Sequence, residues 1–116
     1  MTDQALRIYR GEEQLFSRVK LAKTFGTKLR GLMFYRELPA IDGLLLVPCN
    51  SAHLFWMSFP LALIYLSRER EVLVTVNYIA PNKLGPFVKR AFYVLETKAG
   101  MVSTKNIQIG DRIWWK

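Results

Sequence analysis

Alternation of apolar and polar residues marks the start of this chain. In residues 6–10, and again in residues 14–22, apolar side chains recur at about every second position, which is typical of a strand with one buried face. The sequence GEE at positions 11–13 lies between them and favours a turn. The pattern therefore predicts an N-terminal β-hairpin.

Two later stretches, residues 43–48 and 60–66, are apolar without alternation. Runs of this length predict strands that are covered on both faces. Alternation returns in residues 72–80, where one set of side chains is predicted to share a face of the strand. That set is Val72, Val74, Val76 and Tyr78.

A short helix is predicted over residues 24–35, with Thr24 as its N-cap and two glycines that limit its length. Residues 81–90 contain two prolines and a glycine and are predicted to be a loop, and residues 99–106 a turn or one helical turn. About seven strands with one or two short helices predict a mainly β fold. We expect a single-domain β sandwich or partly closed barrel over residues 1–116.

Length and composition fit one soluble globular domain. The chain has 116 residues, of which 51% are hydrophobic, so a substantial core is expected rather than disorder. No stretch approaches the ~20 apolar residues that span a bilayer, and the N-terminus lacks the apolar block of a signal peptide. With one cysteine there is no internal disulfide. We expect a cytoplasmic protein with no membrane partner.

The net charge raises the possibility of an anionic partner. The 17 basic and 9 acidic residues give a net charge of +8, which attracts nucleic acid and small anions. The basic residues are spread along the chain rather than gathered in an arm. A solvated basic surface is therefore favoured over a dedicated polyanion site.

Four motifs together resemble one family. They are RGLM at 30–33, Cys-His-Met followed by FPL at 49–61, YVLE followed by glycine at 93–100, and GD at 110–111. In this order and spacing they resemble the domain-of-unknown-function 192 family, over about residues 14–115. The resemblance implies a compact β-rich domain, often found alone, and no activity, substrate or cofactor. Two positions depart from the family pattern, since Ala62 replaces a usual aspartate and Leu54 a frequent threonine, and both changes favour packing over chemistry.

Cys49, His53 and Met57 follow one another at intervals of four. A metal site would suit their chemistry, but residues eight apart are separated by ~26 Å on a strand or ~12 Å on a helix, too far for one ion. A Cys49–His53 nucleophilic pair would need helical spacing and a third group, such as Glu96, to orient the imidazole. A core in which all three side chains are buried is the favoured interpretation, and no metal or other cofactor is expected.

Glu96 is the most informative charge, since it follows the apolar run AFYVL. A carboxylate there either pairs with Arg30 or Arg36, reaches water at a strand end, or serves as an acid/base group or ligand anchor. The structural pair is favoured. Arg30 is also the first choice for contacting an anionic ligand, because its guanidinium binds carboxylates in a bidentate manner.

The tryptophans allow a stacking platform, as in proteins that bind single-stranded nucleic acids. Trp114 and Trp115 are adjacent, so on a strand one is expected in the core and the other more exposed. Gly110 and Asp111 are predicted turn residues. No glycine-rich phosphate loop, nucleophile elbow or multi-histidine motif is present in the sequence.

The preferred hypothesis is a non-enzymatic binding or accessory domain. Its pocket would be bordered by Arg30, His53, Trp56 and Glu96 and would hold a small anionic or sugar-like molecule. The first alternative is a small hydrolase or transferase that uses Cys49 and His53, with Glu96 as the third weak catalytic candidate. The second alternative is nucleic-acid binding through the basic surface.

Overall fold

The computed structural model describes residues 5–22, 41–52 and 59–116. Within these ranges seven strands form one mixed sheet, in the order β5-β4-β6-β3-β2-β1-β7. All neighbouring strands are antiparallel except β2 and β3, which are parallel. The strands are β1 (Leu6–Arg10), β2 (Glu13–Ala22), β3 (Gly43–Leu46), β4 (Leu61–Ser67), β5 (Val72–Ile79), β6 (Ala91–Lys98) and β7 (Trp114–Trp115), and one short helix, α1, covers Met101–Thr104.

The mainly β class predicted from the sequence is confirmed. The described strands form a single sheet that is not closed into a barrel. One isolated bridge, between Glu71 and Arg112, nevertheless brings the segment before β7 against the start of β5. This bridge joins the two edges of the sheet, β5 and β7, at one corner. The edges can approach each other because strand twist curls the sheet.

The predicted N-terminal hairpin is confirmed. Leu6 pairs with Val19 and Arg10 with Glu13, across a turn in which Gly11 has φ +60. A side chain at this φ would clash with its own backbone, so glycine suits the turn. Each strand of the hairpin also pairs with a strand on its other side, β1 with β7 and β2 with β3.

The central strands are covered on both faces, as their unbroken apolar sequences predicted. Every residue of β3 and of β4 is buried. Alternate side chains enter two core clusters on opposite faces of the sheet. The first face holds Ile8, Phe16, Leu45, Ile64 and Leu95, together with Val102, Ile107 and Ile113 from the C-terminal segment. The second face holds Leu44, Leu46, Leu63, Tyr65 and Val94.

The prediction that Val72, Val74, Val76 and Tyr78 share one face of β5 is wrong. Two register shifts against β4 interrupt the alternation, one beside Val72 and one between Val76 and Ile79. Val72 therefore packs in the first cluster, whereas Val74 and Val76 pack against the second. Tyr78 is 62% exposed, and Ile79 is buried instead. A β-bulge adds one residue to a strand and so reverses which side chains point inward.

Arg10 fastens the C-terminal segment to the hairpin. Its guanidinium donates to the carbonyl oxygens of Lys105 (2.9 Å) and Asn106 (2.8 Å) and to Asp111 Oδ2 (2.9 Å). Asp111 was predicted only as a turn residue, and it also binds Arg10. Gly110, at φ +97, lies in a turn as predicted. The predicted single helical turn is α1, whereas the helix predicted over residues 24–35 lies outside the described residues.

No helix in the described residues is both long and apolar enough to cross a membrane.

Candidate functional site

The residues predicted to form a site are only partly described. Arg30, Arg36, His53, Trp56 and Met57 lie outside the described residues, as does Leu54. Cys49 and Glu96 are described, and both lie toward the second face of the sheet. The pocket predicted around Arg30, His53, Trp56 and Glu96 therefore stays a prediction.

Glu96 lies in the middle of the sheet, not at a strand end in water. Its strand continues to Lys98, and its backbone pairs with Leu44 on one side and Leu63 on the other. The residue is 4% exposed. Burial raises the pKa of its carboxyl to about 8. Desolvation thus favours the neutral acid near pH 7, while the predicted pairing with Arg30 or Arg36 lies outside the described residues.

Tyr65 and Cys49 share this environment. Tyr65 is fully buried and donates a hydrogen bond of 2.7 Å to the carbonyl oxygen of Pro86. Burial raises the pKa of the Tyr65 hydroxyl, and the nearby Cys49 and Glu96 raise it further. Tyr65 is therefore close enough to Cys49 and Glu96 for their charges to affect its ionisation, and the neutral phenol is favoured.

Cys49 is held as a hydrogen-bond donor. It lies just after the cis Val47–Pro48 peptide, is half-buried, and packs against the second cluster. Its backbone NH donates to the carbonyl oxygen of Phe92 (2.9 Å), and its Sγ–H donates to the carbonyl oxygen of Ser51 (2.8 Å). The Cys49 thiol is thus directed at a backbone carbonyl oxygen near the second face of the sheet.

A polar groove on the first face was not anticipated from the sequence. It lies where the first half of β2, the residue before β3, the end of β6 and α1 meet, and its volume is about 260 Å³. Leu15, Phe16 and Met101 form its apolar part. Its polar lining consists of Gln14, Ser17, Asp42, Thr97, Lys98 and Lys105.

Asp42 is fixed at this groove by three donors. Its Oδ2 accepts from Ser17 N (2.8 Å), Ser17 Oγ (2.9 Å) and Arg18 N (3.1 Å). Burial opposes ionisation, but these hydrogen bonds and the nearby Arg18 charge outweigh it, so the pKa of the Asp42 carboxyl lies below its usual value. Its backbone carbonyl accepts from Thr97 Oγ1 at 2.8 Å, which ties β6 to the same point.

Lys98 and Lys105 supply the positive charge of the groove. Lys98 is exposed at the end of β6, and Lys105 is half-buried just after α1. The ion pairs among the described residues join Arg10 to Glu13 and to Asp111, so neither lysine takes part in one. No sequence motif marks the groove, because the residues that line it are brought together by the parallel β2–β3 pairing and the return of the chain through β6.

The two C-terminal tryptophans differ as predicted. Trp114 is 38% exposed, stacks on Tyr9 with 4.4 Å between ring centroids, and donates from Nε1 to the carbonyl oxygen of Gly11. Trp115 is half-buried against the first cluster, with the Arg70 guanidinium 3.9 Å from its ring centroid. Trp114 thus offers the more accessible ring.

Metal-ligating side chains are not gathered in the described part of the chain. No group of three or more His, Cys, Asp or Glu side chains there is arranged to hold an ion.

Comparison with known proteins settles the family. The sequence profile of the domain-of-unknown-function 192 family, described as an uncharacterized ACR, matches residues 7–115. The chain belongs to this family. A UPF0127 protein of Thermococcus sibiricus is 33% identical over 106 residues, which cover 85% of this chain and 66% of that protein. The chain thus spans just under two thirds of the length of that relative.

Two solved structures share the fold of this family member. A protein of unknown function from Novosphingobium aromaticivorans has a TM-score of 0.78 at 24% identity, covering 95% of this chain and 83% of its own. A protein from Sinorhizobium meliloti, named as a proposed transcription regulator, has a TM-score of 0.72 at 19% identity, covering 95% and 91%. At these identities the similarity concerns the fold.

Proposed function

We propose that this domain binds a small molecule that carries both a negative charge and hydroxyl groups, such as a sugar phosphate, without transforming it. The observation that supports this proposal is the groove beside Asp42, where two lysines and several hydroxyl or amide side chains surround a small apolar floor. A cavity of about 260 Å³ suits a ligand of modest size.

The lysines provide the charge selection. Lys98 and Lys105 make no ion pair within the described residues, so an anionic group of the ligand would not have to displace an internal carboxylate. Ammonium groups form strong, charge-assisted hydrogen bonds with phosphate and carboxylate oxygens. The net charge of +8 adds a general attraction for anions.

Asp42 provides an acceptor for hydroxyl groups. Its Oδ2 is occupied by Ser17 and Arg18, whereas Oδ1 accepts no hydrogen bond from the described residues. The carboxylate is already oriented, so a ligand hydroxyl could bind Oδ1 without a change of rotamer. Gln14 and Ser17 add further polar contacts along the same wall.

The same geometry supports binding rather than catalysis. Because its pKa lies below the usual value, the Asp42 carboxylate is a weak base. The Cys49 thiol donates its hydrogen to the carbonyl oxygen of Ser51 and lies toward the other face of the sheet. Asp42 is therefore not a general base with a pKa matched to neutral pH.

Thermal unfolding with a panel of ligands tests the proposal. A hexose phosphate at a concentration of about 100 Kd should stabilise the fold by about 2.7 kcal/mol, and should raise Tm by several degrees. Hexose alone and inorganic phosphate alone should each give smaller shifts. The double variant Lys98→Gln/Lys105→Gln should lose the shift.

The matched control is Lys83→Gln/Lys89→Gln, which removes the same charge from exposed positions away from the groove. If both double variants weaken the ligand response equally, the effect is one of net charge and the groove is not the site. The proposal also fails if no phosphorylated or carboxylated sugar shifts Tm at millimolar concentration.

A second candidate is binding of single-stranded nucleic acid at the exposed tryptophan. Trp114 lies beside Lys116, whose Nζ is 5.5 Å from the centroid of the tryptophan ring. A base can stack on such a ring while the ammonium contacts phosphate. This candidate predicts an affinity that falls steeply with salt and drops when Trp114 is changed to Ser, whereas an affinity insensitive to salt contradicts it.

A further inference from the structure

The loop that joins β5 to β6, residues 80–90, exposes two large apolar side chains. Leu84 is 69% exposed and Phe87 is 67% exposed. Tyr78, near the end of β5, is 62% exposed beside them in the sequence. Large apolar side chains gathered in one short segment of the surface often mark an interaction site, whereas single ones are unremarkable.

This loop is fixed to the second face of the sheet by its backbone. Gly85 N donates to the carbonyl oxygen of Ala52 (2.7 Å), and Val88 N donates to that of Asn50 (2.8 Å). The carbonyl oxygen of Pro86 accepts from Tyr65 Oη at 2.7 Å. Leu84 precedes the anchored residues and Phe87 lies between two of them, yet both side chains remain in solvent.

A glycine makes this close contact possible. A Cβ atom at Gly85 would lie 2.7 Å from Tyr65 Oη and 2.7 Å from a methyl group of Leu63. Any larger residue would push the loop outward and loosen its hydrogen bonds. The sequence thus brings the middle of the loop inward and leaves its two largest apolar side chains outside.

Cations lie close to the apolar side chains in the sequence. Lys83, Lys89 and Arg90 are all exposed, and no aspartate or glutamate occurs anywhere between positions 72 and 95. The surface of this loop is therefore both apolar and positively charged. An anionic surface with an accessible apolar interior is its physical complement.

We propose that residues 80–90 dock this domain onto an anionic lipid surface, with Leu84 and Phe87 entering the headgroup region and the three cations contacting lipid phosphates. A deformable lipid surface can accept exposed side chains that no groove of fixed shape has to match. The sequence predicted no membrane partner because it contains no spanning stretch, but a peripheral contact requires none. The loop lies at the second face and the Asp42 groove at the first, so the two proposals stand independently.

Co-sedimentation of the full chain with vesicles tests this proposal. Vesicles of phosphatidylglycerol and phosphatidylcholine in equal parts should bind the protein, and vesicles of phosphatidylcholine alone should bind it much less. The double variant Leu84→Ser/Phe87→Ser should lower partitioning onto the anionic vesicles by about tenfold or more, because it removes most of the inserted apolar area. The triple variant Lys83→Gln/Lys89→Gln/Arg90→Gln should bind weakly to both kinds of vesicle.

Ile109 offers a matched control, because it is also 69% exposed but lies in the C-terminal segment. Ile109→Ser should leave vesicle binding unchanged. As a second measurement, the emission that Leu84→Trp adds to that of the three native tryptophans should shift to the blue and be quenched by brominated lipid, whereas the emission added by Ile109→Trp should do neither. Far-ultraviolet circular dichroism verifies that each variant is folded.

Three outcomes would overturn the proposal. The first is that the wild-type protein fails to bind anionic vesicles at low salt. The second is that the charge variant loses binding while Leu84→Ser/Phe87→Ser retains it, which would show a general effect of net charge. The third is that the apolar substitutions dissolve a dimer in sedimentation experiments without changing vesicle binding, which would assign the loop to contacts between copies of this chain.

Discussion

Two carboxyl groups near the centre of the sheet, those of Asp42 and Glu96, respond to the fold in opposite directions. Asp42 accepts three hydrogen bonds from Ser17 and Arg18, and its pKa is lowered. Glu96 is buried where no described group donates to it, and its pKa rises to about 8. They belong to paired strand segments, since Gly43, next to Asp42, pairs with Thr97, next to Glu96.

The comparison shows that two carboxyl groups close to each other on neighbouring strands can have opposite pKa shifts. Asp42 lies just before β3, which begins at Gly43, so its side chain is free of the strand alternation and turns to the backbone NH groups of Ser17 and Arg18, whereas Glu96 lies inside β6 between two paired strands. The Asp42 carboxyl, whose pKa is lowered, lines the polar groove, whereas Glu96, whose pKa is raised, is buried between β3 and β4. Ligand binding is therefore proposed at the first face.

The largest expected effect concerns Glu96→Gln. The pKa of Glu96 is 4.5 without perturbation and about 8 in the fold, so between these values the folded state binds more protons than the unfolded state. The contribution of Glu96 to the free energy of unfolding should thus be largest below about pH 4.5 and should decline as the pH rises to about 8. By pH 7 the loss is about 3 kcal/mol, at ~1.4 kcal/mol per pH unit. Glu96→Gln does not titrate and should escape this loss.

Urea unfolding at about pH 5 and pH 7.5 measures this effect as the difference in stability between Glu96→Gln and wild type. That difference should move in favour of the variant as the pH rises. The exposed Glu69 provides the control, since Glu69→Gln should show no comparable trend. A constant difference between Glu96→Gln and wild type would mean that Glu96 is ionised in the fold.

A smaller loss of stability is expected for Gly43→Ala, at the first residue of β3. A Cβ atom at Gly43 would lie 2.5 Å from the backbone carbonyl oxygen of Glu96, so Gly43→Ala requires the strands to separate. We expect a loss of about 2 kcal/mol in the free energy of unfolding, measured by urea denaturation. Gly11→Ala is the control, because it meets no atom within 4 Å and should cost only the ~1 kcal/mol of its left-handed φ. Equal losses would contradict close contact at Gly43.

The smallest effect is expected for Asp42→Asn. The pKa of Asp42 is lowered in the fold, so its contribution to stability is present above the unfolded value near 3.8 and is lost as pH falls through the folded pKa. The substitution should therefore cost about 1 kcal/mol at pH 7, through weaker hydrogen bonds from Ser17 and Arg18. The deficit should shrink in acid, as measured by thermal unfolding at pH 7 and at about pH 3. A deficit independent of pH would show that packing, not charge, is responsible.

The sequence by itself determined the mainly β class and the family. Alternation in residues 6–22 predicted the N-terminal hairpin, and the apolar sequences of β3 and β4 predicted strands buried on both faces. These patterns are local, because the side-chain period of a strand is visible within a few residues. The adjacency of Trp114 and Trp115 likewise predicted that one ring is more exposed than the other, and Trp115 is half-buried against the first cluster.

Only the tertiary structure decided the rest. The bulges of β5 are set by its register with β4, and they place Tyr78 in solvent against the prediction. The Asp42 groove exists because β2 and β3 pair in parallel and β6 returns beside them. Glu96 is buried because apolar side chains from two neighbouring strands surround it. Register and strand order depend on contacts between residues far apart in the chain, which no local pattern contains.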